Sequence, residues 1–367
     1  MSIVFSHTTA LEILRDPRYG ASVAQARIPM PSPEDPPSDN ELSRAVNRLG
    51  ISPCKETRPH MACAHESGLR ENRESVIHRQ SCELPRGAYI LIADGLGVAS
   101  PEHLLIQMAP GATDVELMLL TCELCGLYAV CEDEEYGITQ RPAPLTTKER
   151  ILGYLNELGP HPHARRVRRA VAFVGENAGS PRESMLYLRF SLPRRLGGYA
   201  MQPLAMNLPI EMERLGSPVG DRTTRMPDLV LSLPEGDRPG ICVEYAGSPH
   251  LQAGRPQLDD LRQNELMACG FEPYTIWSEQ YNSMNYMDNL VDGTLRRKLG
   301  LARRRPGAEK LALERARRDL LLCELNSVDG RHWGISESSA EYESLLARVE
   351  VAKDAEWAKR NQTQGKA

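Results

Sequence analysis

Two apolar runs in the second half of the chain, Leu229-Val230-Leu231 and Ile241-Cys242-Val243, have strand length and flank a Gly/Pro-rich turn. The pattern predicts an antiparallel hairpin. A helical run from Asp259 to Gly270 and an extended run from Tyr274 to Ser278 follow it. Upstream, the apolar positions Met185, Leu186, Leu188 and Leu192 predict a helix that packs on the resulting sheet, opened by Ser180-Pro181. Near the N-terminus a short helix is expected over Thr9 to Leu14. Residues 29 to 75 are poor in apolar positions and crowded with prolines at 29, 31, 33, 36 and 37, which predicts a loop, extended or partly disordered. Val76 to His78 and Ala88 to Ala93 read as strands, the second followed by an Asp94-Gly95 turn and a short strand around Val98. Ser100-Pro101-Glu102 and Asp114 open two helices, the second running through Leu117, Leu120 and Leu124. Pro160 to His163 is a hinge, and Ala164 to Val174 is helical. Charged helices are expected over Gly307 to Leu325 and Ser338 to Arg360.

These elements divide the chain into an N-terminal helix and Pro-rich region (1–75), a smaller α/β or α+β domain (76–160), a third domain (164–300) and a charged helical tail (301–367). The length, 367 residues, suits such a multidomain α/β chain. Aromatic content is only 5%, so the cores depend on Leu, Ile, Val, Met and Ala. A net charge of −5 provides no global basic field, and any nucleic-acid contact would use local clusters: Arg165 to Arg169, Arg194-Arg195, Arg296-Arg297-Lys298 and Arg303 to Arg305. The same arginines also suit helix ends and solvated faces. Nine scattered cysteines, no secretory leader and no long apolar span lead us to expect a reduced, cytoplasmic protein without a membrane segment.

The chemistry centres on the hairpin. Its strands carry Asp228 and Glu244, 16 residues apart, and an antiparallel pair can set two such carboxylates side by side to hold Mg²⁺, or Mn²⁺, against a phosphate. Asp228 after Pro227 is also an ordinary turn acid, and Glu244 could be an exposed strand-edge residue. Ser180-Pro-Arg-Glu183 has the form of a capping box. Asp259 and Arg262, three apart on a helix, suit a surface ion pair, and His250 suits an exposed loop. Cys54, His60, Cys63, His65, His78 and Cys82 invite a zinc reading, but their spacing matches no finger or ribbon pattern. Cys122 and Cys125 fall in an apolar helical run that favours core packing.

The segment from about Gly179 to Gln280 resembles the PD-(D/E)XK restriction-endonuclease-like superfamily, nearest to domains related to very-short-patch-repair endonucleases. The matching residues are Asp228, Glu244, His250, Asp259, Arg262, Leu266 and Gly270, followed by Tyr274 to Ser278. Over roughly 280 residues the chain is also similar to uncharacterised actinobacterial proteins with such a domain on their C-terminal side. Leu84-Pro-Arg-Gly-Ala-Tyr, Ala99 to Ala109 and Glu123-Leu-Cys-Gly-Leu-Tyr carry that likeness. The resemblance implies a mixed sheet flanked by helices and Mg²⁺-dependent hydrolysis of DNA, in a defence, repair or mobile-element setting. It implies that Asp228 and Glu244 hold the metal, that Glu183 assists from the first helix, and that His250 and Arg262 support phosphate chemistry. The family places a lysine, or in these relatives an aspartate, where this chain has Ala246. That departure supports an alternative: a catalytically inactive, antitoxin-like DNA-binding or regulatory protein that uses its N-terminal domain to meet a protein partner.

Overall fold

The computed structural model describes residues 2–50, 58–64, 74–80, 82–134, 136–212, 224–247, 255–302 and 304–364. The chain forms two units, Met1–Glu176 with Gly330–Gly334 and Asn177–Asp329 with Ile335–Ala367. Both are α/β, with mixed sheets flanked by helices. The division falls at 176/177, so the helix after the Pro160–His163 segment belongs with the first unit.

In unit 1 the chain runs β1 (Ile3–Phe5), α1 (His7–Arg15), α2 (Pro17–Gln25), α3 (Asp39–Leu49), β2 (His60–Cys63), β3 (Val76–Arg79), β4 (Tyr89–Ala93) and β5 (Leu96–Ala99). The strands form a five-stranded sheet in the order β3-β2-β1-β5-β4. Gly95, at φ +71°, supplies the left-handed turn between β4 and β5. Within the Pro-rich region, Asp39–Leu49 forms a helix where its composition predicts a loop. Leu42, Ala45 and Leu49 make a buried stripe along α3, and the Glu41 side chain accepts from the Ser38 backbone N–H at 2.9 Å. A local cap and one apolar face suffice for a helix where the average composition is polar.

The unit continues through α4 (Pro101–Met108), α5 (Asp114–Leu124), β6 (Tyr128–Val130), β7 (Ile138–Gln140), α6 (Lys148–Leu158) and α7 (Ala164–Val171). Ser100 Oγ and Thr113 Oγ1 cap α4 and α5 by accepting backbone N–H groups at 3.3 Å and 3.2 Å. Helix α5 is buried on every side, and Cys122 and Cys125 are core residues there. Glu123 on this helix is buried and accepts two guanidinium bonds from Arg15, at 2.8 Å and 2.7 Å, and the Val130 N–H at 3.2 Å. Burial works to raise its carboxyl, but Arg15 and Arg141 outweigh that and hold it below the usual range. The ionised pair therefore stabilises the fold above the ordinary carboxylate range and loses that contribution as acid protonates Glu123. Arg15→Ala strands the buried carboxylate and is expected to cost about 3–5 kcal/mol. Denaturant titration by circular dichroism measures this, and a cost under about 1 kcal/mol would refute it.

Unit 2 opens with α8 (Pro181–Ser191), followed by β8 (Ala205–Met206), β9 (Ile210–Glu211), β10 (Thr224–Arg225), β11 (Leu229–Ser232) and β12 (Gly240–Ala246). After these come α9 (Arg255–Ala268), β13 (Phe271–Trp277), α10 (Ser278–Asn282), α11 (Met284–Asp288), a π-helical turn over Asn289–Leu295, α12 (Arg296–Lys298), α13 (Ala308–Ser327) and α14 (Ala340–Gln364). A four-stranded sheet has the order β13-β12-β11-β8. Strands β8, β11 and β12 are antiparallel, and α9 crosses over to lay β13 parallel to β12. Val230, Cys242, Leu266 and Phe271 form the core between sheet and α9, while α8 packs on β12. Among the described residues, no helix is long and apolar enough to cross a membrane.

Candidate functional site

The hairpin register places the two strand acids. Leu229 pairs with Val243 and Val230 with Cys242, and one further step puts Asp228 opposite Glu244. Alternation along a strand sets both on the face that carries Val230 and Cys242. The Tyr245 N–H donates to Asp228 Oδ2 at 2.6 Å, which fixes the Asp228 carboxylate beside β12. Glu244, with only 12% of its side chain exposed, meets Arg262 at 2.7 Å. Arg262 lies one turn before the buried Leu266 on α9, so packing of Leu266 against the sheet aims the guanidinium at the hairpin. Its Nη2 also donates to the Met226 carbonyl at 3.0 Å. The Asp259 side chain, the partner expected for Arg262, lies outside the described residues.

Glu183 joins the pair from the first turn of α8. Ser180 Oγ accepts its N–H at 3.2 Å, and its own Oε2 accepts from the Gly179 N–H at 2.7 Å. Only half of the expected capping box forms, since the Glu183 carboxylate takes the Gly179 N–H rather than that of Ser180; Asn207 Nδ2 donates to the same Oε2 at 2.7 Å while the Asn207 N–H donates to the Pro227 carbonyl at 3.1 Å. Asn207 adopts φ +47° at the end of β8 and so ties α8 to the start of β11. No motif points to Asn207, whose contribution rests on an unusual backbone conformation.

Burial first, then the charges of Glu183 and Glu244, push the Asp228 carboxyl from 3.8 up to about 8, against the opposing pull of the Tyr245 N–H and Arg262. Three acids therefore share one partly buried region with one guanidinium. The donor set is hard oxygen, which suits Mg²⁺ or Mn²⁺ held by one or two carboxylates with water completing the shell. Asp228 and Glu244 are the two strand acids of this region, Ala246 adds no ligand, and Asp228, Glu244 and Glu183 do not bring one oxygen each within 4.8 Å of one another. His250 lies outside the described residues.

The basic clusters are largely engaged by acids or carbonyls. Arg166 meets Asp114 at 2.7 Å and the Ala112 carbonyl at 2.6 Å, Arg169 also meets Asp114, and Arg168 meets Asn156 at 2.7 Å. Arg194 pairs with Asp292 at 2.7 Å, Lys298 with Glu272 at 2.6 Å, and Arg304 with Glu314 at 2.6 Å. Arg303 lies outside the described residues.

Of the scattered histidines and cysteines, His60 and His78 converge, and their third member is His7, which no spacing rule could associate with them. Cys63 is buried with its Sγ on the Glu34 carbonyl at 3.1 Å, and Cys82 is exposed, while Cys54 and His65 lie outside the described residues. Burial and neighbouring imidazoles hold His7 down to about 3 and His78 down to about 4. No protein-family model, curated protein or solved structure matches this chain.

Proposed function

We propose that unit 2 is a nuclease-type module that engages a phosphodiester backbone, DNA foremost, at Asp228 and Glu244, with Mg²⁺ or Mn²⁺ held between those carboxylates and the phosphate. The carrying observation is the hairpin register, which sets the two acids opposite each other on one face. A helix bearing Glu183, an antiparallel strand trio and a crossover helix to a parallel strand surround them, in keeping with the resemblance. The cation would neutralise the crowded acids and polarise the phosphate. Glu183, anchored by Gly179 and Asn207, positions the start of β11 from α8. Arg262 stands beside Glu244 as the positive group nearest a bound phosphate.

With Ala246 in the water-activating position, hydrolysis is slow. Ala246→Lys is expected to raise divalent-dependent nicking of supercoiled DNA by about a hundredfold, the effect of restoring a group worth about 3 kcal/mol of barrier. Asp228→Asn is expected to remove whatever nicking the wild type shows. Cleavage unchanged in Asp228→Asn would take that residue out of the mechanism.

The second reading is a catalytically silent DNA-binding or regulatory protein. Ala246 and the Arg262–Glu244 ion pair favour it, since the guanidinium supplies positive charge at one of the two would-be ligands. Retained DNA binding without calorimetric binding of Mg²⁺ or Mn²⁺ would establish this reading in place of the first.

A further inference from the structure

Unit 1 holds a second cluster of donor atoms that the phosphodiester reading does not use. His7 is the first residue of α1, immediately after β1 and Ser6. His60 opens β2, which pairs antiparallel with β1, and His78 sits in β3 opposite Ala62. Residues 60 and 62 share a face of β2, so His60 and His78 are diagonal neighbours on that face. The turn from β1 into α1 then brings His7 over them. Its ring stacks on His78 with centroids 3.5 Å apart, and the His60 and His78 rings lie 4.9 Å apart. One nitrogen from each ring lies within 4.8 Å of the other two, an arrangement that no other group of three or more His, Cys, Asp or Glu makes among the described residues.

The cluster is held in place by its backbone. The His60 N–H donates to Thr9 Oγ1 at 2.9 Å, and the His60 carbonyl accepts from the Ser6 N–H at 2.9 Å. The His7 N–H donates to Gln107 Oε1 at 3.0 Å. His7 adopts φ +49°, a conformation that costs a non-glycine residue about 1 kcal/mol or more and persists only where surrounding contacts enforce it. Ser6 Oγ lies 3.1 Å from His7 Nδ1, the kind of outer hydrogen bond that orients a metal-bound imidazole. His78 Nε2 and His60 Nδ1 face each other at 2.9 Å, a contact that requires a lone pair on at least one of them. Ligand spacing in a tetrahedral site with Zn–N bonds of about 2.0–2.1 Å is about 3.3–3.4 Å, so small ring rotations bring the three nitrogens to it.

Beside the cluster lies a cavity of about 260 Å³, lined by His7 and His78 together with Arg79, Cys82, Gln107 and His161, among others, and with no carboxylate among the described residues of its wall. Neutral imidazoles without acids favour Zn²⁺ and its transition-metal neighbours over Mg²⁺ or Ca²⁺. Three protein ligands with a fourth position left open is the pattern of reactive zinc sites, whereas structural sites close all four. We propose that His7, His60 and His78 bind one Zn²⁺-class ion whose fourth position opens onto this cavity and takes water or a small anion.

The test uses the full chain, stripped with a chelator and titrated with Zn²⁺ by calorimetry and with Co²⁺ by visible absorption. In excess Mg²⁺, which occupies the hairpin carboxylates, one equivalent should bind, with the intense d–d bands of four-coordinate cobalt. His7→Asn, His60→Gln and His78→Gln should each weaken binding at least tenfold. His78→Cys gives a check that does not depend on loss. It should retain cobalt and add a thiolate-to-cobalt charge-transfer band in the near ultraviolet. Absence of stoichiometric binding, a six-coordinate cobalt spectrum, affinity indifferent to all three histidine substitutions, or no new band in His78→Cys would each overturn the proposal.

Discussion

Arg318→Ala is expected to destabilise unit 2 by about 3–5 kcal/mol, among the largest losses a single side chain can produce here. Only 2% of the Arg318 side chain is exposed, and its guanidinium meets Asp288 at 2.7 Å, Asp292 at 3.2 Å and Glu314 at 3.7 Å. It also sits 4.4 Å above the Tyr199 ring, whose hydroxyl donates to Asp288 Oδ1 at 3.0 Å. The acids come from α11, the π-helical turn and α13, so this one cation joins three parts of the chain. Truncation removes the cation shared by all three carboxylates and leaves Asp288 with Arg315 at 2.9 Å, Asp292 with Arg194 at 2.7 Å and Glu314 with Arg304 at 2.6 Å. Arg318→Lys should recover only part of the loss, because an ammonium lacks the planar fork that serves several acceptors and stacks on an aromatic ring. Replacing the whole group by apolar residues is a different experiment and need not destabilise. Denaturant midpoints followed by circular dichroism and by hydrogen exchange of α13 amides measure the effect. A change below about 1 kcal/mol would mean that the network adds little beyond packing.

The second large effect has the opposite sign. Asp228→Asn is expected to stabilise the protein at pH 8 while it abolishes divalent-ion binding at the hairpin. Burial and the charges of Glu183 and Glu244 raise the Asp228 carboxyl from 3.8 to about 8. For a group whose folded value is raised, the native state binds the proton more tightly than the unfolded chain does. Its contribution is complete below about pH 4 and is lost as pH rises through about 8. The ionised carboxyl is therefore a net cost to the fold at pH 8, shared among the interacting acids. Asparagine retains an oxygen acceptor for the Tyr245 N–H but carries no charge. Melting temperatures from pH 4 to pH 8 should therefore fall more steeply in the wild type than in Asp228→Asn. Mg²⁺ or Mn²⁺ should raise the wild-type melting temperature at pH 8 and leave the variant unmoved. Parallel pH profiles would reject the electrostatic account of the site, and a variant less stable at pH 8 would show that the Asp228 charge is needed for packing.

The hairpin and the helices around it are legible from residues 227 to 270 because their signals are local. Apolar runs of strand length, a Gly/Pro turn between them and a glycine at φ +82° after α9 act over a few residues. The same locality explains the caps at Ser100 and Ser180. Region 29–75 is harder to read, since a window dominated by proline and charge conceals the three buried apolar positions of α3. The division at 176/177 is equally hidden, because α7 follows a hinge-like Pro160–His163 segment and yet packs on α5.

Element type, strand alternation and the placement of Asp228 opposite Glu244 follow from the order of residues, because a two-strand register depends on side chains only a turn apart in the chain. Which charges meet across long separations does not follow from that order. Arg262 reaches Glu244 because Leu266 anchors α9 on the sheet. Most of the arginine clusters are drawn to acids of their own unit, and Asn207 reaches Glu183 through a left-handed backbone. His7, His60 and His78 meet because β1, β2 and β3 lie side by side in one sheet, and no periodicity links positions so far apart along the chain.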